Sequence, residues 1–232
     1  AAWFAAYFLY HIFERSNRAE HDSLRLAAQA QQAELAALRS QINPHFIFNS
    51  LNSLRALIEE DSARARQAVT QLANLLRYAL QSSQLDAVPL GEELRMVRDY
   101  LALEQLRYEE RLQVTIDVPP ETTALPVPPM LLQTLVENAV KYGIAEEERG
   151  GAVTVSARTA GNCLRLVVTN PGQLRASSGT AISSTGVGLR NATERLRLLF
   201  GPGGKVELRS SEPHLVIAEA LIPLPRTGEA LP

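Results

Sequence analysis

The apolar residues of this 232-residue chain change their period partway along it, and that change limits the possible fold more than any other feature. Before about residue 84 they recur at steps of three and four. Leu24, Ala28, Leu35, Leu38 and Ile42 form one series, with Gln31 as its polar member, and Leu51, Leu54 and Ile58 continue it. Such spacing is the heptad seam of a parallel helix pair. Pro44 either kinks a long helix or restarts one capped by Asn43. A second helix is predicted over 62 to 83, with Val69, Leu72, Leu76 and Ala79 on one face. Two antiparallel helices cannot bury both faces alone, so the hairpin is expected to dimerise into a four-helix bundle.

From about residue 85, short alternating strands and Pro or Gly turns interleave with helical stretches. Helices are predicted over 92 to 108, 129 to 142 and 188 to 199. Strands are predicted over 113 to 118, 153 to 158, 163 to 169, 204 to 210 and 215 to 222. The order points to an α+β chain: a helical hairpin, then an α/β sandwich with helices on one face of a mixed sheet. Residues 173 to 185, QLRASSGTAISST, read as a polar loop.

Charge and composition exclude several classes. The net charge is −2 and the basic residues are spread out, so the footprint of a nucleic-acid-binding domain is missing. The single cysteine, Cys163, permits neither an internal disulfide nor a CxxC metal site, and reads as a strand residue in a reducing compartment. The opening run AAWFAAYFLYHIF is apolar but shorter than the roughly 20 residues that cross a bilayer. It reads as the last part of a transmembrane helix, with Trp3, Tyr7 and Tyr10 suited to the interface and Arg15 and Arg18 on the cytoplasmic flank. The alternative is an apolar helix packed on a partner or on itself.

The chain lacks a GxxxxGK[ST] phosphate loop and the HRD and DFG signatures of protein kinases. It does carry Gly186-Val187-Gly188-Leu189 directly before a predicted helix, where close backbone approach and free N–H groups favour phosphate. Alone, this is ordinary turn chemistry. The run LVENAVKYG at 135 to 143 adds Glu137, Asn138 and Lys141 on nearby turns of one helix. Mg²⁺ binds largely through substrate phosphates, so one Asn138 oxygen with waters is a sufficient protein contribution. The competing reading is a solvated polar face.

Together, LVENAVKYG, VTNPG at 168 to 172 and GVGLRNATERLRLLFG at 186 to 201 resemble the N, G1 and G2 boxes of the GHKL ATP-binding domain. That superfamily includes histidine kinases, gyrase B and MutL. QINPHFIFNSLNSL at 41 to 54 resembles the histidine box of the LytS-like sensor kinases, and RYAL at 77 to 80 and YLALEQLRYEERL at 100 to 112 are similar to that family too. The match runs over about residues 38 to 224.

The resemblance implies a two-component sensor histidine kinase that uses ATP and Mg²⁺. His45 would be the phosphoacceptor, with Asn49 a candidate for positioning it and Glu137 a further catalytic candidate. Asn138 would hold Mg²⁺ on the triphosphate, with Lys141 near the phosphates and Tyr142 beside them. Asn170 and Gly172 would line the adenine pocket, and Gly186, Gly188 and Leu189 would end the ATP lid, with Asn191 the polar residue of the G2 box. It also implies a homodimer at the bacterial cytoplasmic membrane whose partner is a response regulator, often of the LytTR type. The implied organisation is a membrane-proximal helix end at 1 to 15, a signalling coiled coil at 16 to 42, and a dimerisation and phosphoacceptor region at 43 to 84. The GHKL domain then spans 85 to 225, and a tail 226 to 232.

An imidazole with an unperturbed pKa of roughly 6.5 is mostly neutral at cytosolic pH, which leaves one ring nitrogen free to attack a phosphate. His11, His21 and His214 have no comparable context. Three departures stand out: Asn170 replaces a frequent Asp, Tyr142 a frequent His and Thr134 a frequent Pro. An amide at 170 still accepts a hydrogen bond from an adenine amino group. A signalling scaffold with weak nucleotide binding is the alternative that the altered G1 box leaves open, and a GHKL ATPase machine is a third.

Overall fold

In the computed structural model, the described residues are 44–82, 85–174, 186–211 and 214–224. The N-terminal apolar run, the seam from 24 to 42, Asn43 and most of the 173 to 185 loop lie outside them. Residues His45–Pro232 form a compact unit of their own.

Helix α1 spans Pro44–Glu60 and helix α2 spans Ser62–Gln81. Asp61 makes the turn between them. Its backbone is extended, and its Oδ1 accepts from the N–H groups of Ala63 and Arg64, both at 3.0 Å. A carboxylate cap of this kind is worth about 1 kcal/mol. The buried side of the hairpin is Leu54 and Leu57 on α1 and Ala65, Ala68, Leu72, Leu75 and Ala79 on α2. Leu51 and Ile58 of the predicted helix-pair seam, and Val69, are 50%, 58% and 52% exposed within the single chain. The next helix packs on α2.

That helix, α3, spans Leu90–Tyr108 and starts two residues earlier than its sequence predicts. The N–H groups of Leu90 and Gly91 donate to the carbonyls of Leu125 and Thr123, at 2.9 and 2.8 Å, so the helix start is satisfied from a distant segment. Just beside it, strand β1 (Val88–Pro89) pairs antiparallel with β3 (Pro126–Val127). These two-residue strands are too short to show any alternation in the sequence.

The main sheet has the order β2-β4-β5-β7-β6. Its strands are β2 (Leu112–Asp117), β4 (Gly151–Ala160), β5 (Cys163–Pro171), β6 (Lys205–Ser211) and β7 (Leu215–Pro223). The β2–β4 pair is parallel and the others are antiparallel. Alternation decides the faces. Val153, Val155, Ala157, Leu164, Leu166, Val168, Ala218, Ala220 and Ile222 are all buried, while the residues between them stay partly open. Cys163 is a free, half-buried strand residue. On the open face Glu219 of β7 pairs with Arg165 of β5 at 2.6 Å and with Arg209 of β6 at 3.2 Å.

The buried face lies under α3, α4 (Leu131–Ala139) and α5 (Gly186–Phe200). The helix predicted over 129 to 142 is shorter and less regular. Pro128 and Pro129 precede it, Met130 turns left-handed at φ 63°, and α4 begins only at Leu131. After Ala139 the winding widens into a π-turn over Val140–Ile144, where Ala145 N–H donates to Val140 carbonyl at 2.9 Å.

Candidate functional site

The first turn of α4 is built around a buried carboxylate from another helix. Glu93 of α3 is fully buried; its Oε1 accepts from Met130 N–H at 2.8 Å, and its Oε2 from Leu132 and Gln133 N–H at 3.0 and 3.3 Å. These are the orphan donors of a helix start, and a negative charge there is favoured by the helix dipole. The Tyr78 hydroxyl of α2 donates to the same Oε1 at 2.5 Å. Burial pushes the Glu93 carboxyl up, while the Tyr78 and backbone hydrogen bonds oppose the shift; burial and Glu93 together push the Tyr78 hydroxyl up.

One face of α4 is apolar: Leu131, Leu132, Leu135, Val136 and Ala139 are buried. Its other face carries Glu137 and Asn138. Gln133 Nε2 donates to Glu137 Oε1 at 2.9 Å. Burial pushes the Glu137 carboxyl up, with that bond and the Lys141 charge acting the other way. Asn138 Nδ2 donates to Thr134 carbonyl at 2.8 Å. That bond uses one amide hydrogen and leaves the carboxamide oxygen for a ligand, a hard donor of the kind Mg²⁺ takes. Lys141 is exposed, its Nζ 4.7 Å from the Tyr142 ring centre.

The π-turn brings this helix against the end of β5. A β-carbon on Gly143 would stand 2.5 Å from Asn170 Nδ2 and 2.9 Å from Pro171 carbonyl oxygen, so no side chain fits there. Asn170 is buried, and its Nδ2 donates to Pro171 carbonyl at 2.7 Å. Its oxygen is again the remaining group, an acceptor suited to an adenine amino donor. Gly172 has φ +125°, open to glycine at little cost, and its N–H donates to His214 carbonyl at 3.0 Å. At the start of α5, a β-carbon on Gly188 would meet Thr134 Cγ2 at 3.4 Å; Leu189 is buried and Asn191 exposed. Asn138, Asn170, Gly172 and Gly188 therefore sit on three segments, with α4 and its π-turn touching both β5 and α5. Their donor sets fit a nucleotide and its Mg²⁺.

His45 is exposed on α1, and its ring meets Asn49. Asn49 Nδ2 lies 3.3 Å from Nδ1 and 3.2 Å from Nε2, so the amide is in contact with the ring edge. The next residue turns the other way. Phe46 packs on Tyr100 of α3, with ring centres 4.9 Å apart.

Below that contact lies a polar cluster that the sequence reading did not assign. Tyr100 hydrogen-bonds Glu104, which is buried, and Glu104 Oε2 has no hydrogen-bond partner among the described residues, with Arg107 Nη1 at 3.8 Å. Burial pushes Glu104 up, and the nearby Glu137 charge adds to this. A signal for Glu93 and Glu104 was available. Both fall on the same stripe as Leu90, Leu94, Val97, Leu101 and Tyr108, where an acid is out of place unless it has a structural or chemical task.

Known proteins resemble the chain as follows. Residues 33–112 match the family model described as "Histidine kinase". The sensor histidine kinase YpdA of Escherichia coli is 35% identical over 212 residues, covering 89% of this chain and 37% of its own length. The sensor protein LytS of Enterococcus faecalis is 34% identical, covering 81% and 34%. The sensor histidine kinase/phosphatase LytS of Staphylococcus aureus is 35% identical, covering 78% and 33%. The chain thus spans about a third of the length of these relatives. Among solved structures, the catalytic domain of histidine kinase ThkA is 18% identical, covering 60% of this chain and 94% of its own, with a TM-score of 0.45. With relatives 34–35% identical over most of its length, the chain belongs to the LytS-like sensor histidine kinases.

Proposed function

We propose that this chain binds Mg-ATP at the junction of α4, β5 and α5 and transfers the γ-phosphoryl group to His45. The observation that carries the reading is the meeting of Asn138, Asn170 and Gly188 segments in the same compact unit as an exposed His45. In the reaction, the unprotonated ring nitrogen attacks the γ-phosphorus, an N–P bond forms, the P–O bond to ADP breaks, and the ring proton leaves to solvent. Asn138 would hold Mg²⁺, which would supply neutralisation of the phosphate charge. Lys141 adds charge near the phosphates, and Tyr142 flanks them. Asn170 and Gly172 take the adenine, and Gly186, Gly188, Leu189 and Asn191 border the lid. Asn49 positions the imidazole, and Glu137 is the acid of the site.

The phosphoryl group then passes to an aspartate of a response regulator, of LytTR type by analogy with the family. The region 43 to 84 dimerises, 85 to 225 holds the nucleotide, and the apolar start of the chain anchors it at the cytoplasmic membrane with this region in the cytoplasm. Among the described residues no helix is long and apolar enough to cross a membrane.

The test is incubation with Mg-ATP labelled at the γ-phosphate, comparing the intact chain with His45→Gln and Asn138→Ala. Acid-labile, alkali-stable label in the intact chain alone supports the reading. Label that survives in His45→Gln moves the acceptor elsewhere, and absence of Mg-ATP binding at millimolar nucleotide removes the kinase assignment.

A further inference from the structure

We propose that Glu93 is a positioning residue for the nucleotide helix and that Tyr78 ties it to the histidine-bearing hairpin, so that hairpin and nucleotide site shift together. This rests on the function proposed above for α4 and His45, and it adds a physical link between them.

The geometry is specific. A single oxygen, Glu93 Oε1, accepts from Tyr78 of the hairpin and from Met130 N–H at the head of α4. Met130 has φ 63°, a conformation that a non-glycine residue holds only when its surroundings impose it. The other oxygen holds Leu132 and Gln133. Any displacement of Tyr78 therefore pulls on the atom that fixes the start of the helix bearing Glu137 and Asn138. A second tie runs in parallel. Arg195 of α5 donates to Leu85 carbonyl, in the segment that follows the hairpin, at 2.5 Å. Another polar contact between α2 and α3, Asn74 Nδ2 to Asp99 Oδ2, is longer at 3.4 Å and does not involve Glu93. Coupling through such a contact is reciprocal: what the hairpin does to α4, a ligand on α4 does to the hairpin.

The experiment is amide hydrogen exchange on the whole chain, first without nucleotide, comparing the intact protein with Tyr78→Phe and with Asn74→Ala as the control. Tyr78→Phe keeps the ring and removes only the hydroxyl. The expected result is exchange about tenfold faster at Leu132 and Gln133 in Tyr78→Phe, with Leu166 and Val168 of β5 unchanged and Asn74→Ala unchanged throughout. Unaltered rates at Leu132 and Gln133 overturn the proposal, and so does equal acceleration of α4 and β5, which marks a merely structural tyrosine. Should Tyr78→Phe not fold, the intact protein decides. Mg-ADP must slow exchange over Tyr78–Ser82 as well as in α4, and protection confined to α4 overturns the link. Failure of the intact chain to bind Mg-ADP would defeat the kinase reading instead, and the nucleotide-free comparison would still judge the coupling.

Discussion

Gly143 and Asn170 share one space: a β-carbon on the first would overlap the side chain of the second and the carbonyl that follows it. The helix that carries Asn138 and the strand end that carries Asn170 approach this closely only because position 143 has no side chain.

Gly143→Ala is therefore expected to push these segments apart. The clash includes Pro171 backbone, which cannot rotate away, so a destabilisation of about 1–3 kcal/mol is expected, with Mg-ATP affinity falling at least about tenfold. Urea unfolding and calorimetric titration check both. Unchanged affinity would show that the contact is not part of the nucleotide site.

Stability should respond to pH in two opposite ways. Burial raises Glu104 and Glu137 in the folded state, so between the unfolded carboxyl value and those raised values the folded protein holds more protons than the unfolded chain. Their contribution is complete below the unfolded carboxyl range, at about 4.3, and is lost as pH rises through the folded values. Glu219 is held low by Arg165, so its contribution exists above the unfolded range and is lost as pH falls through the folded value. Glu104→Gln should flatten the loss of stability on the alkaline side, and Glu219→Gln the loss on the acid side. Urea unfolding over a pH series measures both; identical slopes in Glu104→Gln and the intact chain would contradict the burial argument.

Asn49→Ala should slow labelling of His45 severalfold while leaving Mg-ATP affinity unchanged, since Asn49 touches the imidazole and lies on α1 away from α4. A parallel fall in affinity would place its effect elsewhere.

The hairpin leaves Phe48, Leu51, Ile58, Val69 and Leu80 exposed. With Leu51→Glu and Ile58→Glu together, sedimentation is expected to show a monomer whose unfolding midpoint is little changed, because neither side chain is buried within the chain. A dimer that persists would remove this face as the interface.

Alternation in β4, β5 and β7 was legible because one face of each is buried and the other is not, so Val153 and Val155, then Leu164, Leu166 and Val168, declare themselves at every second position. The glycines and asparagines of the candidate site were picked out through their resemblance to known boxes, and the fold brings their segments near one another. Three things were hidden for physical reasons. The choice between Leu54 or Ala68 and Leu51 or Val69 as buried positions depends on where α3 lies, which no local spacing encodes. Glu93 acts on residues 37 to 40 positions away, beyond any local window. The left-handed Met130 follows from its hydrogen bond to Glu93 and from two prolines, neither of which marks methionine as a turn residue.

The π-turn at Val140–Ile144 has a consequence for the chain's tolerance of length changes. A five-residue turn holds one residue more than an α-helical turn of the same span. Deleting a single residue between 140 and 144 would therefore favour an ordinary helix, continuous and locally well bonded, in which Gly143 no longer faces Asn170. A shortened variant of this kind would keep its helical content and lose its alignment with β5, so the irregularity acts as a register mark that sequence length alone maintains.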